Sequence, residues 1–382
     1  MHTFLDEDVE RPCVGSGRPS RRTVPARARG PLALFGAILL LGLTIDGGWS
    51  AYGEPGRPAR PATVSTQLLS HPAPERVPAT LAFAGDVHFE GGLATRLATE
   101  PSTVLAEVAP VLQAADLAVV NLETALTDRG RPESKRFTFR APSSALVALS
   151  GAGIDVASMA NNHGLDYGAE GLSDTLAARR EAPLGVVGIG ATAADALAPF
   201  RTTINGWRIS VIAATDVLDG PLEARWAATG SQPGVASAKR SADLEAAVSA
   251  ARAESDTVVV VLHWGVEGAS CPTERQRDLA RALTTAGADV IVGSHAHRLQ
   301  GAGRLGGAFV AYGLGNFAFS ASSPGAAATG VLRLSVAGRR VVSYEWVPAH
   351  IVGAAPQPLQ GDSAARALSA WHGLRTCTGL DP

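Results

Sequence analysis

Three cysteines in 382 residues, none in a CxxC or other metal-type spacing, exclude both a thiolate metal site and a disulfide-rich scaffold. Charge is equally uncommitted. With 33 Lys and Arg against 35 Asp and Glu, the formal net charge is −2 and no basic patch forms, which argues against nucleic acid as a partner. Aromatic residues make up only 5% of the chain, beside abundant Ala and Gly, a bias that carries no functional content. No internal repeat is visible, which excludes a solenoid. What remains is a 46% hydrophobic chain able to fill the core of one large domain or two.

Histidine is scarce too, at nine residues, and its distribution is informative. Five apolar β-type runs each break off into metal-ligand or proton-transfer side chains. TLAFAG leads to Asp86 and His88, DLAVV to Asn121 and Glu123, and IDVASMA to Asn161, Asn162 and His163. VVVVL leads to His263, and DVIVGS to His295 and His297. Sheets bind ligands outside the carboxyl ends of their strands, where loops converge over one crevice. Five of the nine histidines lie at these ends, which points to a metalloenzyme or a descendant of one.

The N-terminus speaks to location. Arg21, Arg22, Arg27 and Arg29 precede an apolar run from Leu32 to Ile45, closed by Asp46. A basic flank before an apolar stretch is an export pattern. The run covers about 21 Å at 1.5 Å per residue, against about 30 Å of hydrocarbon. That suits a signal sequence, whereas the long leader and the interfacial Trp49 and Tyr52 suit an uncleaved anchor. The expectation is a single-pass protein with its body outside the cell membrane, or a secreted one after cleavage. Cys13 would stay inside. Cys271 and Cys377 would share an oxidising compartment, either as a disulfide holding the C-terminal tail to the loop after His263 or as unrelated thiols.

Composition divides the chain into a basic, disordered tail (1–30), the signal or anchor (31–50), a Pro-rich linker (51–78), one domain (79–350) and a C-terminal tail (351–382). Within the domain, strands alternate with helices, the pattern of an α/β fold. Helices are expected over 103–115, 143–152, 168–180, 241–253 and 273–286. The later, more strictly alternating strands, 331–336 and 340–347, suggest a second, mixed sheet packed on the first.

Asp86-x-His88 and His295-x-His297 each place two ligand types on one face if the backbone is extended. Carboxylate and imidazole together favour Zn, Mn or Fe. Asn162 is suited to a metal and His163 to proton donation. His263 is a further ligand candidate, and Glu123 a carboxylate able to bridge two ions. Together they suffice for one or two divalent ions that clamp a phosphoryl-like centre. Arg140, Trp264, Arg298 and Asn161 are the candidates for substrate contact.

GDVHF, VNLE, FRAP, ANNHGLDYG, LHWGVE, GADVIVGSHAHRLQG and YGLGNF follow one another in the order seen in CapA-type proteins, which the region 79–347 resembles. That family is associated with bacterial poly-γ-glutamate capsule synthesis, and is similar in turn to calcineurin-like metallophosphoesterases. The resemblance implies a two-layer β-sandwich flanked by helices, α-β-β-α. It implies Asp86, His88 and His297 on one ion and Asn162, His263 and His295 on the other, with Glu123 bridging and His163 assisting the leaving group. Glu123 departs from the pattern, since those enzymes carry an aspartate there. The implied roles are a metal-dependent hydrolase or transferase acting on an anionic polymer or a phosphate-bearing substrate, or a capsule assembly factor that binds the polymer or a membrane synthase complex.

Overall fold

The computed structural model describes residues 76–382, apart from Asp219 and Ser322. The basic tail, the signal or anchor and nearly all of the linker lie outside the described residues. Among the described residues, no helix is long and apolar enough to cross a membrane.

Strand Thr257–His263 shows how sequence makes the layers. Its side chains alternate across the sheet, yet both faces are apolar. Val259 and Val261 pack between two sheets, while Val258, Val260 and Leu262 pack under helices. A strand buried on both sides reads as a continuous apolar run, and TVVVVL is one. The outer helices, Ser241–Glu254 and Glu274–Ala286, cover it with Leu244, Val248, Leu279 and Leu283. Thr273 caps the second of these through a reciprocal bond with Gln276, and Gly287 ends it in the left-handed region.

This sheet has six strands, in the order 302–305, 308–311, 290–294, 257–263, 207–215, 200–204. Its four central strands are parallel and its two edges antiparallel. Facing it is a sheet in the order 355–358, 340–352, 328–337, 79–87, 117–122, 156–158, 185–187, with 316–318 pairing beside the end of 79–87. Phe83, Val119, Val211, Val292 and Leu334 fill the space between the sheets. Helices Ser144–Gly151 and Gly168–Glu181 cover the outside of the second sheet through Leu146, Leu149 and Leu172. The architecture is thus α/β, a two-layer sandwich with helices on both outer faces.

Two expectations need correction. The late strands do not build a separate sheet. Ala328–Ala337 pairs antiparallel with the first strand, Ala79 opposite Val336 and Phe83 opposite Leu332, and extends the sheet begun at residue 79. Its alternation sends Leu332, Leu334 and Val336 into the inter-sheet core. The helix expected over 103–115 shrinks to Ala109–Gln113 after a 3-10 turn at Pro101–Thr103.

Residues 351–382 also pack into the fold. Ala355–Pro358 adds an edge strand, and Trp371 of helix Gly361–Gly373 stacks on Trp346 at 5.1 Å. Cys377 is disulfide-bonded to Cys271, 106 residues away. Closing a loop of that size removes unfolded-state entropy worth about 4.7 kcal/mol. Cys377→Ser is therefore expected to lower unfolding stability by about 2–5 kcal/mol, read from urea denaturation with and without reductant. Reductant should matter only for the parent chain.

Candidate metal centre

Period two in the strands carries the site. Val119 and Asn121 share the inter-sheet face, as do Val259, Val261 and His263. The strands of both sheets end at the same edge of the sandwich, so Asp86, Asn121, Glu123, His263 and Ser294 converge. Gly85 allows the first strand to pass the chain at Gly315: a Cβ there would lie 1.8 Å from the Gly315 carbonyl oxygen. The Asp86 amide then donates to that carbonyl at 2.9 Å.

Glu123 is the centre. It is fully buried and neither carboxylate oxygen has a hydrogen-bond partner among the described residues. Its Oε1 lies 3.4 Å from His263 Nε2, 3.8 Å from His163 Nε2 and 4.0 Å from His297 Nε2. Burial, reinforced by Asp86, holds its carboxyl well above the usual range. A buried, unpaired carboxylate costs several kcal/mol, so such groups pair or bind metal. Two groups of donors gather within 4.8 Å of one another: Glu123 with His295 and His297, and Asp86 with Glu123 and His263. Glu123 belongs to both.

Two of the surrounding imidazoles, His263 and His295, suit the same purpose. Burial, then the neighbouring His295 and His297, keeps His263 neutral, and burial pushes His295 down to about 3. Neutral imidazole is the ligand form. Burial opposes charge on His297 as well, but Glu123 and Asp86 outweigh it and raise this group to about 10. His295 Nδ1 has no partner among the described residues. Asn162 Oδ1 is 2.8 Å from His263 Nε2, and His263 Nδ1 faces Ser294 Oγ at 3.0 Å. Asp86 Oδ1 accepts from Asn121 at 2.8 Å.

His295 and His297 do not sit in extended backbone. The strand ends at Ser294, and both residues have positive φ, 89° and 51°. Non-glycine residues held there cost of order 1–3 kcal/mol each, and such strain gathers at functional sites.

His88 departs from its expected place. It belongs to neither donor group. The backbone amides of Glu90 and Ser320 lie 3.0 and 3.1 Å from its two ring nitrogens, and the ring stacks on Phe139 and edges Phe319. Those aromatic walls come from distant segments, which the local Asp-x-His pattern does not contain. Trp264 is also no substrate contact: it is fully buried and donates to the Tyr312 carbonyl at 2.7 Å. Asn161 is buried and spent on Leu122 O, Asn121 Oδ1 and the His163 amide. Arg140 is exposed, its guanidinium 4.9 Å from the Tyr167 ring. Arg298 donates to Ser323 Oγ and lines a different, apolar cavity beside Trp346 and Trp371.

Asp166 and Lys135, which sequence patterns left without a role, prove central. Asp166 Oδ2 lies 2.5 Å from His163 Nδ1 and accepts from the Phe139 amide at 2.7 Å. Lys135 Nζ reaches Asp166 Oδ1 at 2.8 Å and also contacts the Asn162 carbonyl. Burial lowers the pKa of His163, while Asp166 opposes the shift. Breaking a buried pair of this kind costs about 3–5 kcal/mol. Asp166→Ala is expected to lose that much in denaturant unfolding, and Lys135→Met in the same background should recover part of it.

Residues 80–321 match the family of bacterial capsule synthesis protein PGA_cap. The chain belongs to this family. It is 32% identical to the PGA biosynthesis protein CapA of Bacillus subtilis over 259 residues, 67% of each chain. It is also 32% identical to the capsule biosynthesis protein CapA of Bacillus anthracis over 263 residues, 67% of this chain and 63% of that one. A probable polyglutamine synthesis accessory protein of Mycobacterium tuberculosis is 29% identical over 210 residues, 53% of this chain and 55% of that one. The chain thus spans between about half and two thirds of these relatives. A hypothetical protein from Thermus thermophilus covers 72% of this chain and is itself covered entirely, with 16% identity and a TM-score of 0.45, too loose to add to the family match.

Proposed function

We infer that this protein is a metal-dependent hydrolase or transferase of an anionic polymer of the poly-γ-glutamate type, working outside the cytoplasm. The observation that carries this is Glu123, a buried carboxylate with no hydrogen-bond partner among the described residues, beside the neutral imidazoles of His263 and His295. The residues fit a divalent ion: Asp86, Glu123, His263, His295 and His297 would hold it, with Asn162 Oδ1 beside His263. Bound there, it would polarise the scissile group and acidify water.

The rest is done by the chain's own residues. Asp166 at Nδ1 fixes the orientation of His163, so that Nε2 faces Glu123 and the site and can hold or deliver a proton to a leaving group. Lys135 bonds both Asp166 and the Asn162 carbonyl, which ties together the two ends of the turn from 162 to 166. A cavity of about 620 Å³ opens from Asn162 and His163 to solvent, within the range of small-ligand sites. The names of the relatives, PGA and polyglutamine synthesis, support the polymer. The export pattern and the Cys271–Cys377 bond support the location.

The test incubates the full chain, loaded with Mn²⁺ or Zn²⁺, with poly-γ-glutamate and, separately, with an aryl phosphodiester. New amine ends, or a shift in polymer length, should appear only with metal. Bound metal without turnover of either substrate would leave a polymer-binding assembly factor instead.

A further inference from the structure

The cavity beside His163 carries charge of both signs. Arg136 and Arg225 line it together with Phe137 and Leu222, and Glu267 lines it too, all leading to His163. Arg225 stands on helix Gly220–Trp226 and pairs with Glu133, which occupies one of the five guanidinium donors. Its side chain stays 60% exposed. Phe137 is an exposed aromatic, 48% accessible, in the lining of this cavity. The loop over 129–140 carries five cationic residues and one acid.

Glu267 is the anomaly. A cleft built only for polyanions gains from an all-cationic lining, because like charge opposite a ligand carboxylate costs binding. Yet Glu267 is exposed, makes no hydrogen bond or ion pair with a described residue, and lies near enough to Glu123 to raise its pKa. A free carboxylate at this point favours a ligand that brings a positive group beside its negative ones.

We propose that this cavity takes the amino end of an acidic polyamide chain, the terminal ammonium facing Glu267 and the adjoining carboxylates facing Arg225 and Arg136, with the methylenes on Phe137 and Leu222. The proposal rests on the polymer reading above and narrows it from the chain as a whole to one terminus. A free amine next to a carboxylate occurs once per chain, so the site selects ends over interior segments. A phosphate ester or an interior stretch of the polymer offers no cation for Glu267.

The test is calorimetric titration of the full chain, Mn²⁺-loaded at neutral pH, with two probes: a γ-linked glutamate pentamer with a free amine and the same pentamer N-acetylated. The free-amine probe should bind the parent protein at least about tenfold more tightly. Glu267→Gln should abolish this preference while still binding both probes, and Arg225→Ala should weaken both alike. Equal affinity for the two probes in the parent protein, or a preference that survives Glu267→Gln, overturns the terminal-amine proposal and leaves the polymer reading standing. If neither pentamer binds, but N-acetylated long polymer does, the proposal alone fails. If nothing of this class binds, the polymer reading falls and takes the proposal with it.

Discussion

Glu123→Gln is expected to strip the protein of metal and yet make the metal-free fold more stable. The two effects have one cause. The carboxylate sits at full burial with neither oxygen hydrogen-bonded to a described residue, and burial and Asp86 both resist its ionisation. Folding without an ion therefore bears the penalty of an unsatisfied buried acceptor, about 1–3 kcal/mol and more for a charged one. Glutamine keeps the shape and cannot ionise, so the penalty of a buried charge does not arise. Metal-free Glu123→Gln should gain about 1–3 kcal/mol in urea unfolding. The same change removes the donor common to both ligand groups. Altering residues that merely support ligands costs about 10–100-fold in metal affinity, so loss of a shared ligand should exceed roughly 100-fold. A variant that loses metal and also loses stability would mean that the Glu123 charge is already offset in the metal-free fold, by His297.

His163→Asn is expected to separate chemistry from metal binding. His163 is bound to Asp166 through Nδ1, and its Nε2 lies 3.8 Å from Glu123 Oε1. It belongs to neither donor group. A positioned proton donor contributes about 10²–10⁴-fold. The variant should lose turnover by that factor at saturating substrate while its metal content stays at the parent level. Loss of metal in parallel with activity would place His163 among the ligands and leave the proton-transfer role without a residue.

The sequence makes the layered α/β order and the convergence of strand ends legible, for a physical reason. A strand buried on both faces must be an uninterrupted apolar run, so a polar residue at its end marks the sheet's rim, as His263 does after VVVVL. Pairing between distant strands has no such local mark. Residues 328–337 alternate as any half-buried strand would, and only their partner, 79–83, assigns them to the first sheet. Ring direction is equally non-local. Asp86-x-His88 states the spacing of two donors, but Phe139 and Phe319 decide where the imidazole goes. Asp166 and Lys135 were hidden because a charge in a polar loop ordinarily faces water. Their burial follows from each other and from His163, a reciprocity that shows only once the loop at 135 meets the turn at 162–166. Trp264 errs the other way: next to a ligand candidate, it looks like a substrate platform, yet Tyr312 takes its only donor into the core.

The most direct measurement is anomalous X-ray diffraction at the zinc edge, on crystals of the metal-loaded protein. The account predicts one or two peaks about 2.0–2.2 Å from the Glu123 carboxylate, ringed by donors from Asp86, His263, His295 and His297. A well-ordered map with no peak at Glu123, or with the ion held by other residues, would contradict it.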